Sequence, residues 1–283
     1  MRTSAYQDPL AFQQRVLPML MRHEWENNLM IGMISRLVAG ESIPGAPPLP
    51  LLFLVEDSNC APALAATLAG PLAMVLCRAP TDAVHELARH VTEQQAQLPG
   101  VSGPDEVAAI FASEWSARTS RPFTHGHHMR LFRAEKVIPP RPAPGGLRSA
   151  TPNDVPLLNR WAEDFNAELK LPLTGAADVE KRVGEGRMFL WCDRSPVAMA
   201  GTAVPTPRGV RVSLVYTPPE FRRRGYASAC VAALTSRLLD SGLSALLYCD
   251  ADNPVTPAMY QKIGYEHVCD WKDFFFGENE RHG

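Results

Sequence analysis

The segment from Val215 to Ala227 has the clearest chemical character in the chain, because an apolar stretch meets a basic loop there. Pro218 and Pro219 break the apolar stretch, and three arginines followed by Gly225 lead into an amphipathic run. A helix that starts here presents unpaired backbone N–H groups and the positive end of its dipole. Glycine lets the backbone approach a ligand closely. The pattern predicts a phosphate or pyrophosphate site, although a solvated basic loop before a helix has the same composition.

A second motif lies downstream of this loop. Asn253 precedes Tyr260 by seven residues, and Tyr260 opens the segment Tyr-Gln-Lys-Ile-Gly-Tyr. Together with Arg222-x-x-Gly225-x-Ala227, this pattern resembles the GNAT superfamily of N-acetyltransferases, which combine an R/Q-x-x-G-x-G/A loop with a Y-x-K-x-G-F ending. Both motifs occur in the family's order, and the resemblance covers residues 137–283.

The resemblance implies that acetyl-CoA lies in a wedge between two splayed strands. The backbone of the strand before the loop would pair with the pantetheine arm, and the loop amides would hold the pyrophosphate. A side chain at the asparagine position would contact the cofactor, and no metal ion is expected. The cofactor-binding residues implied in this way are Val215, Tyr216, Thr217, Arg222, Arg223, Arg224, Gly225, Tyr226, Ala227, Ser228 and Asn253.

Tyr260 falls where the family places a tyrosine near the thioester sulfur, which makes it the candidate catalytic residue. Direct attack of an amine on a thioester expels a thiolate, and a phenol with a pKa of ~10 can protonate that thiolate. The alternative is a half-buried tyrosine that packs its helix.

The general base is left open by the sequence. An alkylammonium with a pKa of ~10.4 must lose a proton before it attacks. The candidates are Glu168, Glu220, Asp250 and Asp252. The two aspartates equally suit a turn ahead of Asn253, and a water chain could serve instead.

The elements that must position these residues are predicted from apolar patterning. Strands are expected at residues 188–192, 197–204, 210–216, 245–249 and 271–276, and helices after Thr151 or Asn153, at 227–240, and from Thr256 to Gly264. This alternation indicates an α/β class. The resemblance implies a GNAT-like, mixed and mostly antiparallel twisted sheet flanked by helices, preceded by a second α/β domain.

The segment from Val137 to Gly146 marks the predicted domain boundary, because its prolines and glycines exclude a helix or a central strand. The predicted domains are 1–136 and 137–283. The first half echoes the second, since Phe53–Asp57 resembles Phe189–Asp193 in sequence. The first half lacks a glycine loop after Cys77, so an internal duplication would have left a degenerate first copy.

Composition excludes several other classes. The 283 residues carry a net charge of -2, so a nucleic-acid binder is not expected. The six cysteines have neither zinc nor disulfide spacing, so a cytoplasmic setting is expected. The uncharged run from Ser58 to Cys77 could span a bilayer, but Gly70 and Pro71 indicate two buried strands. His125, His127 and His128 suggest a polar loop rather than a metal site.

These observations lead to one expected function and one alternative. The expected function is acetyl-CoA-dependent N-acetylation of a primary amine on a small molecule or peptide, by a monomer or a homodimer without nucleic-acid or membrane partners. The alternative is a non-catalytic acetyl-CoA sensor or a structural pseudo-enzyme. The acceptor cannot be read from a fold that serves many substrates.

Overall fold

The computed structural model describes residues 1–41, 47–169, 176–253 and 255–277. Packing divides the chain into two compact units. The first unit holds Met1–Leu131, Asp250–Asp252 and the residues from Val268 on. The second unit holds Phe132–Cys249 and Asn253–His267. Every residue implied for the cofactor site therefore lies in the second unit.

The elements follow each other in the same order twice along the chain. The first series is β1 (Arg2–Tyr6), α1 (Pro9–Leu20), α2 (Glu24–Val38), β2 (Leu51–Glu56), β3 (Pro62–Leu68), β4 (Met74–Leu76), α3 (Thr81–Glu93), β5 (Gly100–Pro104), α4 (Asp105–Thr119) and β6 (Phe123–Ala134). The second series is β7 (Gly146–Ser149), α5 (Val155–Leu169), α6 (Ala176–Gly184), β8 (Met188–Asp193), β9 (Ser195–Thr202), β10 (Gly209–Tyr216), α7 (Tyr226–Asp240), β11 (Ser244–Asp250), α8 (Val255–Lys262) and β12 (Glu266–Phe276). This repetition confirms the duplication that the sequence echo predicted.

The first unit is built on strands in the order β1-β2-β3-β4-β5-β12. All of these neighbours are antiparallel except β4 and β5. Trp115 on α4 is buried and stacks on Phe276 of β12, with ring centroids 3.9 Å apart. The indole N–H of Trp271 donates to Ser102 Oγ at 2.7 Å, and that hydroxyl donates to Asp273 Oδ1 at 2.6 Å. The strand that follows α8 in the chain thus completes the first unit.

The second unit is built on strands in the order β11-β10-β9-β8-β7, and β6 contributes Phe132 and the two residues after it. Only β10 and β11 run parallel within this set. One face packs α7 and α8 around a core that includes Val212, Cys230 and Leu247. The other face packs α5 and α6 around Trp161 and Leu190. A mixed, mostly antiparallel sheet flanked by helices was the predicted fold class, and it is confirmed.

Two local predictions have opposite outcomes. The run from Ser58 to Cys77 forms β3 and β4, which confirms the prediction of two buried strands. Among the described residues, no helix is both long and apolar enough to cross a bilayer. The polar loop expected at His125, His127 and His128 is wrong, because these residues lie within β6, and His127 Nδ1 is 3.3 Å from Asp273 Oδ2. A polar segment of this kind forms a strand because it pairs with strands that are distant in the chain, and local composition does not reveal such pairing.

Thr151 caps the 3-10 turn Pro152–Asp154 that leads into α5, which confirms it as a capping residue and supports a test of stability. Asp154 accepts two hydrogen bonds from Arg148, at 2.7 and 2.8 Å, and one from the Thr151 backbone N–H at 2.7 Å. The Arg148 guanidinium, with the Thr151 donors, holds the pKa of Asp154 well below its usual range.

Asp154→Asn is expected to lower the free energy of unfolding at pH 7 by about 1 kcal/mol, a low figure because Arg148 is 41% exposed and solvent screens the pair. A depressed carboxyl pKa stabilises the fold above the unfolded pKa of ~3.9, and this contribution is lost as the pH falls. The difference in the free energy of unfolding between parent and variant should therefore become smaller below about pH 4. Urea unfolding of both proteins from pH 7 down to acidic pH measures this difference. Equal stability at pH 7 would show that the ion pair of Asp154 with Arg148 does not stabilise the fold.

Candidate active site

A wedge opens in the second unit between β10 and β11. The two strands pair in parallel from Gly209 and Ser244 to Arg211 and Leu246, and the described residues form no further pair between them. Residues 212–216 and 247–249 therefore separate towards the ends of their strands, while β10 stays paired with β9 as far as Tyr216. This is the wedge that the resemblance implied.

A bulge at Leu214 accompanies this separation. Between the pairs Ser213–Gly201 and Tyr216–Met199, β10 has one residue more than β9. Leu214 has φ +50°, a left-handed conformation that is strained for a leucine. A bulge bends its strand and re-aims the residues that follow. Val212 accordingly packs in the core with α7, whereas Leu214 and Tyr216 pack in the core with α5.

The loop between β10 and α7 has the features of an anion site. Arg223 and Gly225 both have positive φ, at +62° and +83°, so the backbone coils tightly before the helix begins. The α7 N-terminus has no side-chain cap and no acidic residue in its first turn, so the N–H groups of Tyr226, Ala227 and Ser228 have no partner within the helix. A Cβ at Gly225 would meet only Ala143, at 3.9 Å, which leaves the approach to these groups open.

The three loop arginines are held differently. Arg222 Nε donates to the Thr217 carbonyl at 2.8 Å, its Nη2 pairs with Glu168, and its guanidinium lies 5.7 Å from the Tyr216 ring centroid. Arg223 and Arg224 are exposed. Arg222 therefore ties the end of β10 to α5, and the other two leave their charge available near the helix N-terminus.

Tyr226 has a second role that its place in the motif does not show. Its ring is buried, and its hydroxyl donates to Asp193 Oδ2 at 2.6 Å. This hydrogen bond, with burial, raises the pKa of the Tyr226 phenol. The side chain thus anchors the start of α7 to the end of β8, while the backbone N–H of Tyr226 belongs to the loop.

Tyr260 lies on α8 in the core shared with α7 and β11 and is 5% exposed. Burial raises the pKa of its phenol above the usual value, with smaller contributions from Tyr265, Cys249 and Cys230. Among the described residues, nothing hydrogen-bonds to the Tyr260 hydroxyl, whereas the equally buried Tyr265 hydroxyl meets Thr235 Oγ1 at 2.7 Å. The two buried phenols therefore differ in that only the Tyr265 hydroxyl is tied to a protein partner among the described residues.

The remaining candidate side chains form local contacts or are exposed. Asn253 is exposed, and its Oδ1 accepts the Val255 N–H at 3.0 Å, which starts α8. Asp250 Oδ1 accepts the Asp252 N–H at 2.9 Å, the turn arrangement considered from the sequence. Glu168 pairs with Arg222, and Glu220 is exposed on the turn Pro219–Phe221. Among the described residues of the second unit, neither Glu168 nor Glu220 forms a hydrogen bond with Tyr260.

Several contacts of the site have no signal in the sequence. The bulge at Leu214, the Asp193 partner of Tyr226 and the Glu168 partner of Arg222 all depend on contacts between distant segments. Arg211 is partly buried where the wedge begins. In the sequence it cannot be distinguished from any other charged residue of a strand.

Comparisons with known proteins agree with this geometry. The family model described as FR47-like protein matches residues 191–275, which include both motifs. The chain is 26% identical over 253 residues to a mycothiol acetyltransferase from Paenarthrobacter aurescens (strain TC1), covering 77% of each protein.

Two solved structures show the same fold over nearly the whole chain. A GCN5-related N-acetyltransferase from Sphaerobacter thermophilus is 13% identical with a TM-score of 0.61, covering 96% of this chain and 94% of that one. A tandem GNAT protein from the clavulanic acid biosynthesis pathway is 15% identical with a TM-score of 0.55, covering 96% and 98%. The chain is thus similar to GNAT acetyltransferases in its motifs and in the family match over residues 191–275, and it shares the fold of a tandem GNAT protein, although its first half lacks the loop.

Proposed function

We propose that this protein is an acetyl-CoA-dependent N-acetyltransferase that moves an acetyl group to a primary amine by direct attack. The observation that carries the proposal is the open N-terminus of α7 beside the wedge between β10 and β11. The acceptor is a small molecule or a peptide. Acetyl-CoA would supply an activated thioester, and the residues of the chain would bind it and manage the protons.

Three features of the second unit support the binding of a nucleotide-linked thioester. The helix N–H groups and the exposed Arg223 and Arg224 suit a pyrophosphate, since anions are stabilised at helix N-termini. The separated backbone of β10 at Val215, Tyr216 and Thr217 suits the amides of a pantetheine arm. Thr217 Oγ1 is buried without a hydrogen-bond partner among the described residues, so a polar group remains to be satisfied there.

Tyr260 is the group that would hold and deliver a proton. Its phenol is buried and protonated, and it shares a core with α7, whose N-terminus forms the anion site. The departing thiolate would leave into the same apolar surroundings, which also raise the proton affinity of a thiolate. The pKa of the Tyr260 phenol and that of the departing thiol are therefore both raised, and Tyr260 Oη can act as the acid.

The test combines binding with turnover. Calorimetry measures the affinity for acetyl-CoA. Release of the CoA thiol in the presence of a panel of primary amines measures the rate of acetyl transfer. Binding together with amine-dependent thiol release supports the proposal. Binding without turnover on any amine would indicate the non-catalytic sensor, and the absence of binding would overturn the cofactor assignment.

The first unit is expected to bind no cofactor, so one acetyl-CoA should bind per chain. Asp82 stands in the first turn of α3, and its Oδ1 accepts the Ala83 N–H at 3.0 Å, which places a negative charge where a phosphate would lie. A Cβ at Gly103 of β5 would come within 3.2 Å of the Leu76 carbonyl of β4, so these two strands stay in close contact. Native mass spectrometry measures the stoichiometry, and two CoA molecules per chain would show the expectation to be wrong.

A further inference from the structure

A group of polar residues lies on the face of β10 and β11 opposite α7. Val212 and Leu247 point into the core with α7. Because side chains alternate along a strand, Arg211, Ser213 and Tyr248 lie on the other face, where β10 and β11 separate. The Arg211 guanidinium carbon is 5.9 Å from the centroid of the Tyr248 ring.

A second arginine reaches the same place from α6. Arg182 Nη1 donates to Ser213 Oγ at 3.1 Å, and its Nε is 2.8 Å from Asp178 Oδ2. Burial lowers the pKa of Arg182, and the nearby positive charges of Arg187 and Arg211 lower it further. These arginines are therefore close enough to repel one another.

The carboxylates in this region leave one arginine without a counter-charge. Asp178 pairs with Arg182, and Glu185 pairs with Arg187. Among the described residues, Arg211 forms no ion pair and no side-chain hydrogen bond, and its guanidinium lies over the Tyr248 ring. Burial lowers the pKa of Arg211. A partly buried guanidinium without a carboxylate partner is free to form a charge-assisted pair with a carboxylate of a ligand.

We infer that Arg211 binds a carboxylate of the acceptor, so that the acceptor is an amine that also carries a carboxylate, as an amino acid does. The planar guanidinium matches a carboxylate through two parallel hydrogen bonds. The place of Arg211, at the last paired residue before the wedge opens, puts this carboxylate beside the strands that would hold the thioester. The inference rests on the proposed transfer of an acetyl group from acetyl-CoA.

The experiment compares primary amines that carry a carboxylate, a neutral amide or a phosphate. Amino acids, their amides and O-phosphoethanolamine are offered with acetyl-CoA, and kcat/KM is measured from thiol release. Hydrogen bonds to a charged group are worth roughly 10–100-fold, so the acid should exceed its amide by that factor. Arg211→Gln should remove this preference by slowing the acid, with little effect on the amide. Arg160→Gln, an exposed arginine on α5, is the matched control and should keep the preference.

Each other outcome overturns the inference in a distinguishable way. Equal rates with acid and amide, or a preference for the phosphate, would exclude a carboxylate site while acetyl transfer stands. If acetyl-CoA binds but no amine reacts, N-acetyl amino acids and their amides are titrated into the CoA-loaded protein, and equal affinities would exclude the site. A protein that does not bind acetyl-CoA at all fails the proposed function and the inference together. Unchanged acetyl-CoA affinity in Arg211→Gln shows that the variant is folded.

Discussion

Tyr260→Phe is expected to slow acetyl transfer by roughly 10²–10⁴-fold, the usual contribution of acid catalysis. Phenylalanine keeps the buried ring in the core with α7 and removes only the hydroxyl, which has no partner among the described residues. Acetyl-CoA affinity should change little, because the loop and β10 carry most of the proposed cofactor contacts. Single-turnover thiol release isolates the chemical step, and calorimetry checks the affinity.

The control for this experiment is Tyr265→Phe. The two rings lie in the same core with centroids 5.8 Å apart, but the Tyr265 hydroxyl meets Thr235 Oγ1 at 2.7 Å. The control should therefore lose about 1 kcal/mol of stability through the broken hydrogen bond and keep its turnover. If Tyr260→Phe reacts at the rate of the parent in a single turnover, the acid is water and Tyr260 only packs its helix.

Gly225→Val is expected to weaken acetyl-CoA binding by about 1–3 kcal/mol, or roughly 5- to 150-fold in Kd. A would-be Cβ at Gly225 has only Ala143 near it, so the effect does not come from a clash inside the protein. It comes from forcing a β-branched residue to φ +83° and from placing a side chain over the first N–H groups of α7. Calorimetry on the purified variant measures the change.

Gly242 supplies a matched control at the other end of the same helix. It has φ +82° and open space around a would-be Cβ, so Gly242→Val introduces the same backbone strain away from the loop. Both variants should lose comparable stability, and only Gly225→Val should lose affinity. Equal affinities in the two variants would remove the anion site from the loop.

The sequence predicts the second series of elements well because strong local signals mark them. Alternating or continuous apolar runs predict β8 to β11, and Thr151 marks the 3-10 turn that leads into α5. The two motifs fix the loop before α7 and the place of Tyr260 on α8. The positive φ of +83° at Gly225 can be predicted from the sequence, since few residues other than glycine adopt this conformation.

Other features depend on tertiary contacts that no local pattern records. Leu214 adopts a positive φ although leucine disfavours it, because pairing with β9 on one side and separation from β11 on the other impose it. Aromatic patterning indicates a strand from Trp271, but its antiparallel partner β5 lies far back in the chain. The unpaired charge of Arg211 becomes visible only when its neighbours on α6 and β11 are known.

The pairing of β12 with β5 has a consequence for biosynthesis. The hydrogen bond from Trp271 to Ser102 joins residues 169 positions apart, and at ~5–20 residues per second a ribosome needs on the order of 10 s or more to cover that distance. During this interval the backbone groups of β5 that face β12 have no native partner in the nascent chain. The tandem chain therefore cannot mature as one finished domain followed by another, and its early product must be kept from aggregating until the last strand arrives.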